Sequence, residues 1–211
     1  RALRPARPDA VTDEALAWFD ELYVAARDGR AEVPWDRGGP YPLLAEWTAR
    51  ERLRGDGRRA LVVGAGLGVD AEHLASLGFQ TTAFDISPAG VEEARTRNPG
   101  SVVRYEVANL LEAPPEWSGA FDCVLESLTV QSMPSELHPP AIAAVTRFVA
   151  AGGTLLVIAT ARGEDDPAPA PPWPLRPSEI AAFAAGELEA VRSERLQDGE
   201  IHRWRVELRR P

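Results

Sequence analysis

Gly64, Gly66 and Gly68, at every second position, and Asp85 further along are the residues whose types and spacing point to chemistry. Residues without a Cβ let a chain turn sharply from strand to helix and bring its backbone close to a ligand. An acid at the end of the next strand can take the hydroxyls of a ribose. Together they predict a nucleoside cradle. The elements that must position them can be read from the same stretch. The apolar run Leu61 to Val63 reads as a buried strand, and the helix after the glycines turns Leu74 and Leu77 inward before a C-cap at Gly78. A second strand from Phe79 to Phe84 then delivers Asp85. This is the first half of a doubly wound α/β unit. Its loop reads G-x-G-x-G, with Val69 next, and not the G-x-G-x-x-G of dinucleotide folds. A tight turn alone would explain the glycines, but not the full order of strand, glycines, helix, strand and acid.

On these residues the sequence resembles the class I S-adenosylmethionine (SAM) methyltransferases, whose first motif has the same G-x-G-x-G form. The resemblance implies a Rossmann-like α/β fold with a seven-stranded sheet and an antiparallel last strand.

Composition bounds the rest. The chain has 211 residues, a formal net charge of −9 and a hydrophobic share of 45%. That is enough for one α/β domain with its own core. The acidic balance argues against nucleic acid as a partner. Every one of the 23 basic residues is arginine, which excludes a P-loop lysine, a Schiff-base lysine and a lysine base. The arginine, alanine and proline bias suggests a GC-rich, bacterial source. Cys123 is the single cysteine, so no internal disulfide and no zinc cluster is expected. No run is long enough to span a membrane, and Arg1 to Pro8 lacks the apolar stretch of a signal peptide, so a cytoplasmic location is expected.

Along the chain, residues 1–10 read as disordered. A helix over about Glu14–Arg27, capped by Asp13, carries Leu16, Phe19 and Tyr23 on its apolar side. A turn-rich loop from Asp28 to Pro42 precedes a second helix, about Leu43 to Arg54. Residues 1–57 thus form a helical cap on a SAM-binding core of 58–211, within one domain. The core continues with a helix at Ala89–Asn98 and a strand at Val102–Val107. A strand at Phe121–Glu126, a helix at Ala141–Val149 and a strand at Thr154–Ala159 complete the alternation. Residues 162–177 are a long Pro- and acid-rich loop, of the kind that forms lids. Ser178 caps a helix of about Glu179–Ala185, and Leu188–Leu196 with Ile201–Leu208 alternate around Asp198-Gly199 as a hairpin.

The resemblance narrows on three stretches. Pro34-Trp35-Asp36 with Pro42-Leu43-Leu44 is one. Phe121-Asp122 through Met133-Pro134 and Ser135-Glu136-Leu137 is the second. Pro171-Pro172-Trp173 with Ser178-Glu179-Ile180 and Phe183 is the third. They are similar to the thiopurine and thiol/halide methyltransferase-like group, which implies methyl transfer to a small molecule, often at sulfur. Carried over, Trp35 lies across the cofactor near the methyl group, where an aromatic face suits a sulfonium; a core tryptophan is the equal alternative. Gly64, Ala65, Gly66 and Gly68 face the methionine and ribose parts. Asp70 accepts from the SAM ammonium or caps the helix. Asp85 takes the ribose, Ile86 packs on adenine, and Asn109 and Leu110 meet its edge and face. Glu126 and Ser127 end the fourth strand beside the methyl group, with Glu126 the one well-placed carboxylate for catalysis. Trp35, Ser127 and Trp173 line the acceptor. The group carries Arg or an aromatic where this chain has Ser127, Leu128 and Thr129, which leaves the acceptor open. His73 reads as solvated and His202 as partly buried and structural. His138 either approaches the acceptor or lies idle in a loop. Cys123 reads as a core thiol. No spacing suggests a metal. A NAD(P)-dependent oxidoreductase and a non-catalytic SAM-binding module are the alternatives.

Overall fold

The computed structural model describes residues 13–167 and 171–211, with side chains from Ala17 onward. The expectations for residues 1–10, for the Asp13 cap and for Leu16 fall outside them. Seven strands form one sheet: β1 (Arg59–Val63), β2 (Gln80–Asp85), β3 (Arg104–Val107), β4 (Phe121–Ser127), β5 (Val149–Thr160), β6 (Glu189–Asp198) and β7 (Ile201–Arg209). Their order is β3-β2-β1-β4-β5-β7-β6. The first five pair in parallel, β7 runs antiparallel to β5, and β6 runs antiparallel to β7. β7 is therefore the strand of reversed direction, wedged between two that run with the rest. The hairpin follows from Asp198 and Gly199 at its tip, where Gly199 takes a φ of +62°.

Alternation along the strands divides the core between two faces. Leu61, Val63, Val124, Leu155 and Val157 meet helices α5 (His138–Arg147) and α6 (Pro177–Ala182) through Ile142, Val145 and Phe183. Ala60, Val62, Leu125, Leu156 and Ile158 meet α2 (Pro42–Arg50), α3 (Val69–Ser76) and α4 (Pro88–Arg97) through Leu44, Trp47, Leu74 and Val91. Strands buried on both faces read as continuous apolar runs, which is why β1, β4 and β5 could be located from sequence.

The first helix, α1 (Asp13–Arg27), packs on α4. Asp20 fixes that contact by accepting from the Ser87 hydroxyl at 2.7 Å and the Ala89 N–H at 2.8 Å. The second helix lies on the outer hairpin. There the Trp47 indole donates to buried Glu207 at 3.0 Å, and Arg205 reaches the Leu43 carbonyl at 3.3 Å. Several helix limits differ from expectation, α5 starting at His138 and not Ala141 among them, and two have a local cause. The second helix ends at Arg50 and not Arg54, since Arg52 takes a φ of +48°. The last helix is N-capped at Arg176 and not Ser178, because Glu179 folds back onto the Arg176 N–H at 2.8 Å.

Candidate functional site

The glycine loop leaves β1 with Gly64, Gly66 and Gly68 at φ of +64°, +54° and +84°, the left-handed region that favours glycine. Asp85 closes β2 beside it and is buried. Its Oδ2 accepts from the Gly66 N–H at 2.9 Å and its Oδ1 from the Ser87 N–H at 3.0 Å. The carboxylate therefore ties the loop to the strand end, and each oxygen keeps a further lone pair for a hydroxyl. Burial pushes its pKa up, against the pull of the backbone N–H groups.

The three glycines do different work. A Cβ on Gly64 would lie 2.3 Å from the Thr129 hydroxyl, and one on Gly68 would lie 2.3 Å from the Tyr105 hydroxyl. Those two are required by the protein's own side chains. A Cβ on Gly66 would lie 3.3 Å from both the Trp35 Nε1 and the Tyr23 hydroxyl. Gly66 is thus the glycine that faces the aromatic cover of the loop.

That cover comes from α1 and the loop that follows it. The Trp35 Nε1–H donates to the Tyr23 hydroxyl at 3.0 Å, and the two rings stand edge to face at 5.8 Å. Phe19 and Trp18 follow at 6.0 and 6.4 Å from Trp35. Burial, and then the Asp85 carboxylate, raises the Tyr23 pKa well above its ordinary value, so the phenol is neutral. Two polar ties hold the loop that carries Trp35. Asp36 pairs with Arg97 at 2.6 Å, and the Tyr41 N–H donates to Asp70 Oδ1 at 2.7 Å. Asp70 therefore does not cap α3, a place taken by Gly68, but anchors the end of that loop at Tyr41.

Ala65, Ile86, Asn109 and Leu110 flank the cradle. The Ala65 N–H donates to the Phe84 carbonyl at 2.8 Å, which orients the loop. Ile86 is half-buried next to Asp85. The Asn109 Oδ1, expected to accept from an adenine amino group, accepts instead from the Leu111 N–H at 3.0 Å and caps a short 3-10 turn. Leu110 is buried in the core with Phe84 and Trp117.

The far end of the site lies where β4 and β5 stop. Leu128 takes a φ of +64°, a strained conformation for a branched side chain, between Ser127 and Thr129. Glu126 departs from its expected place beside the methyl group. It is 0% exposed, and its Oε1 accepts from the Thr129 and Val130 N–H groups at 2.8 and 2.9 Å. The carboxyl turns into the α5 side of the sheet and holds the turn that carries Thr129. Its Oε2 has no partner, and burial pushes its pKa up to about 7.

His138 is also wholly buried. Its Nδ1 lies 2.6 Å from Glu179 Oε1 and its Nε2 2.9 Å from the Met133 carbonyl. Both ring nitrogens are thus taken up by partners within the fold. Glu179 is held down to about 2 by this ring and by Arg176, against the opposing effect of burial. Neither nitrogen can take a proton from an acceptor. His202, expected to be partly buried, is exposed at the start of β7, and His73 is half-buried against the Thr48 hydroxyl at 2.9 Å rather than solvated. Cys123 is buried, with its thiol pushed up to about 12 by burial.

The Pro- and acid-rich loop expected as a lid starts after β5. The Trp173 N–H donates to the Gln131 carbonyl at 2.8 Å, the Thr160 N–H donates to the Gln131 side chain at 2.5 Å, and the Leu175 N–H donates to the Thr160 carbonyl at 2.9 Å. Trp173 is half-buried. The structure thus gathers Gly66, Asp85, Trp35 and Ile86 at one end of the site and Ser127 and Trp173 at the other. Tyr23, Asp20, Thr129 and Gln131 were not singled out as site residues from sequence. Tyr23 had a signal, its place on the apolar side of the first helix, whereas Gln131 had none. Among the described residues no group of His, Cys, Asp and Glu is arranged to hold a metal, and no helix is long and apolar enough to cross a membrane.

Residues 61–157 match the family model described as "Methyltransferase domain". Among curated proteins, the Ubiquinone biosynthesis O-methyltransferase of Xanthomonas campestris pv. campestris is 33% identical over 132 residues, 58% of this chain and 54% of that protein. The chain spans about half the length of the curated relatives it matches. Among solved structures, the 1,6-didemethyltoxoflavin-N1-methyltransferase of Burkholderia thailandensis superposes with a TM-score of 0.70 at 20% identity, over 98% of this chain and 93% of that one. The [4+2]-cyclase SpnF superposes with a TM-score of 0.73 at 19% identity, over 99% of both chains. The matched stretch is similar to a methyltransferase domain, and the whole chain shares the fold of these solved structures.

Proposed function

We propose that the chain uses S-adenosylmethionine to methylate a small molecule. The observation that carries this is Trp35 seated over Gly66 beside Asp85. An acid suited to a ribose, a backbone loop suited to the methionine part and an indole that covers the loop meet within one corner. SAM is the cofactor of a methyltransferase domain, and the relative from Burkholderia thailandensis was solved with bound S-adenosylhomocysteine. Asp85 would hold the ribose, Ile86 would pack on adenine, and Gly64, Ala65 and Gly68 would shape the loop. Asn109 and Leu110 would bound the adenine side through the turn they build. Asp70 would act through the loop it anchors. Ser127, Trp35 and Trp173 would bound the acceptor, and residues 1–57 and 58–211 would work as one domain.

Methyl transfer from a sulfonium needs alignment more than acid, because the leaving group departs as a neutral thioether. Alignment can contribute roughly 7–11 kcal/mol. Glu126 and His138 are both buried and committed to the fold, so the acceptor would bring its own ionised atom: a thiolate, or an oxygen of low pKa. The curated relatives named O-methyltransferases favour oxygen, and the similarity to the thiopurine and thiol/halide group favours sulfur. Glu126 would then contribute by placing the 129–132 turn.

The test has two parts. S-adenosylhomocysteine at a hundred times its Kd should stabilise the fold by about 2.7 kcal/mol, and NAD should not. A panel of thiols, phenols and enols should include acceptors that drive S-adenosylhomocysteine release. Stabilisation by NAD alone would overturn the reading. The likeness to a cyclase supports a second reading, a cofactor-bound fold that serves other chemistry; it predicts cofactor binding with no methylation of any acceptor.

A further inference from the structure

Arg162 follows β5 by two residues, at the same end of the sheet as the glycine loop, and roots the Pro- and acid-rich loop after it. It is 9% exposed. Its N–H donates to the Leu175 carbonyl at 3.2 Å, and the Ala161–Leu175 bridge pins the segment against β5. The guanidinium is poorly matched to these surroundings. Its Nη1 reaches the Asp166 carbonyl at a long 3.4 Å, while its Nε is buried with no partner. Among the described residues it joins no ion pair, although Asp166 lies near. The Asp166 carboxylate goes instead to the Gly163 N–H at 2.5 Å. Burying an unpaired cation is costly, and a partnerless N–H on it more so.

The unused edge has a definite shape. Nε–H and Nη2–H lie side by side on a guanidinium, opposite the Nη1 that meets Asp166. That edge presents two parallel donors, the pattern that takes a carboxylate bidentately. The Trp173 N–H on the Gln131 carbonyl at 2.8 Å and the Thr160 N–H on the Gln131 side chain tie the two ends of the segment that carries Arg162 to the turn that follows Ser127 and Leu128. We infer that Arg162 is the anion-binding residue of the acceptor site and that the acceptor carries a carboxylate, held bidentately on the Nε/Nη2 edge. A bound carboxylate would supply the missing charge, and the 163–166 turn would yield the weak Nη1 contact as it enters.

Only the word acceptor rests on the methyltransferase reading; the anion site does not. The test uses acetate, benzoate and phenylacetate, each against its neutral amide, with inorganic phosphate as a tetrahedral anion. Binding is followed by calorimetry on the full chain, with and without S-adenosylhomocysteine. At least one acid should bind tenfold or more tightly than its amide. In Arg162→Gln that preference should fall below twofold, and Arg162→Lys should restore part of it by charge alone. Affinity for S-adenosylhomocysteine should stay unchanged throughout. Acids and amides binding alike, a preference for phosphate alone, or an acid preference that survives Arg162→Gln would each overturn the proposal. If Arg162→Gln does not fold, the wild-type comparison and Arg162→Lys still decide. Loss of S-adenosylhomocysteine binding with the acid preference intact would refute the cofactor and leave the anion site standing.

Discussion

Glu126→Gln separates a structural carboxyl from a catalytic one. Glutamine keeps an oxygen in the Oε1 position, so the Thr129 and Val130 N–H groups retain their acceptor. What it removes is a charge from a side chain that is 0% exposed. In the folded chain the carboxyl titrates at about 7, against an ordinary value of 4.5, with burial as the main cause. The sign follows from linkage. The folded state binds this proton more tightly than the unfolded state, so the wild type is favoured below pH 4.5 and loses stability as pH rises to about 7. Across that window the loss is about 3 kcal/mol, and between pH 6 and pH 8 it is about 1.4 kcal/mol. The glutamine amide, placed where Oε2 has no partner, adds a constant penalty of about 1–3 kcal/mol. That penalty does not depend on pH, so the slope is the informative quantity. Urea unfolding of both proteins at pH 6, 7 and 8 measures it. The wild-type stability should fall by about 1.4 kcal/mol relative to the variant over that range. A flat difference would mean that Glu126 is already ionised at pH 6 and would refute the burial argument. The same variant tests chemistry, once an acceptor is known. Its kcat/KM should stay within about threefold of wild type, whereas a loss of a hundredfold or more is the scale of a general base.

Four other outcomes are expected. Gly64→Ala should destabilise by about 2 kcal/mol or more in chemical denaturation, since its Cβ would sit 2.3 Å from the Thr129 hydroxyl at a φ of +64°. Asp85→Asn should weaken S-adenosylhomocysteine binding by roughly tenfold to a hundredfold in calorimetry, the value of a charge-assisted bond; an unchanged Kd would remove Asp85 from the cofactor. Trp35→Ala should lower kcat/KM while leaving the melting temperature within a few degrees of wild type, and Tyr23→Phe should do so more weakly by freeing the Trp35 N–H. His138→Ala should cost about 1–3 kcal/mol of stability, since Glu179 Oε1 loses its partner while Arg176 still holds Oε2, and should leave the pH–rate profile at the acceptor's own pKa.

Much of this protein was legible in the sequence because its signals are local. Glycine spacing, an apolar run and a terminal acid lie close together between residues 61 and 85, and strand alternation with turn residues placed the closing hairpin. For Trp35 the residues alone left a core position as the equal alternative, and only the packing of its loop sets the indole against Gly66. Side-chain direction at the ends of strands was not legible either. Glu126 and Ser127 are neighbours, and only the register of β4 against β5 decides which faces the core. Asp70 and Asn109 had the right types for a ligand, yet a backbone N–H brought close by the fold reached each of them first. His138 and Glu179 lie far apart in sequence and become a buried hydrogen-bonded pair only when α5 and α6 pack on the same face. The residue types and the loop chemistry belong to the sequence alone. Which of those groups remain available to a ligand is decided by tertiary packing, because a buried polar atom bonds to whatever the fold places within reach.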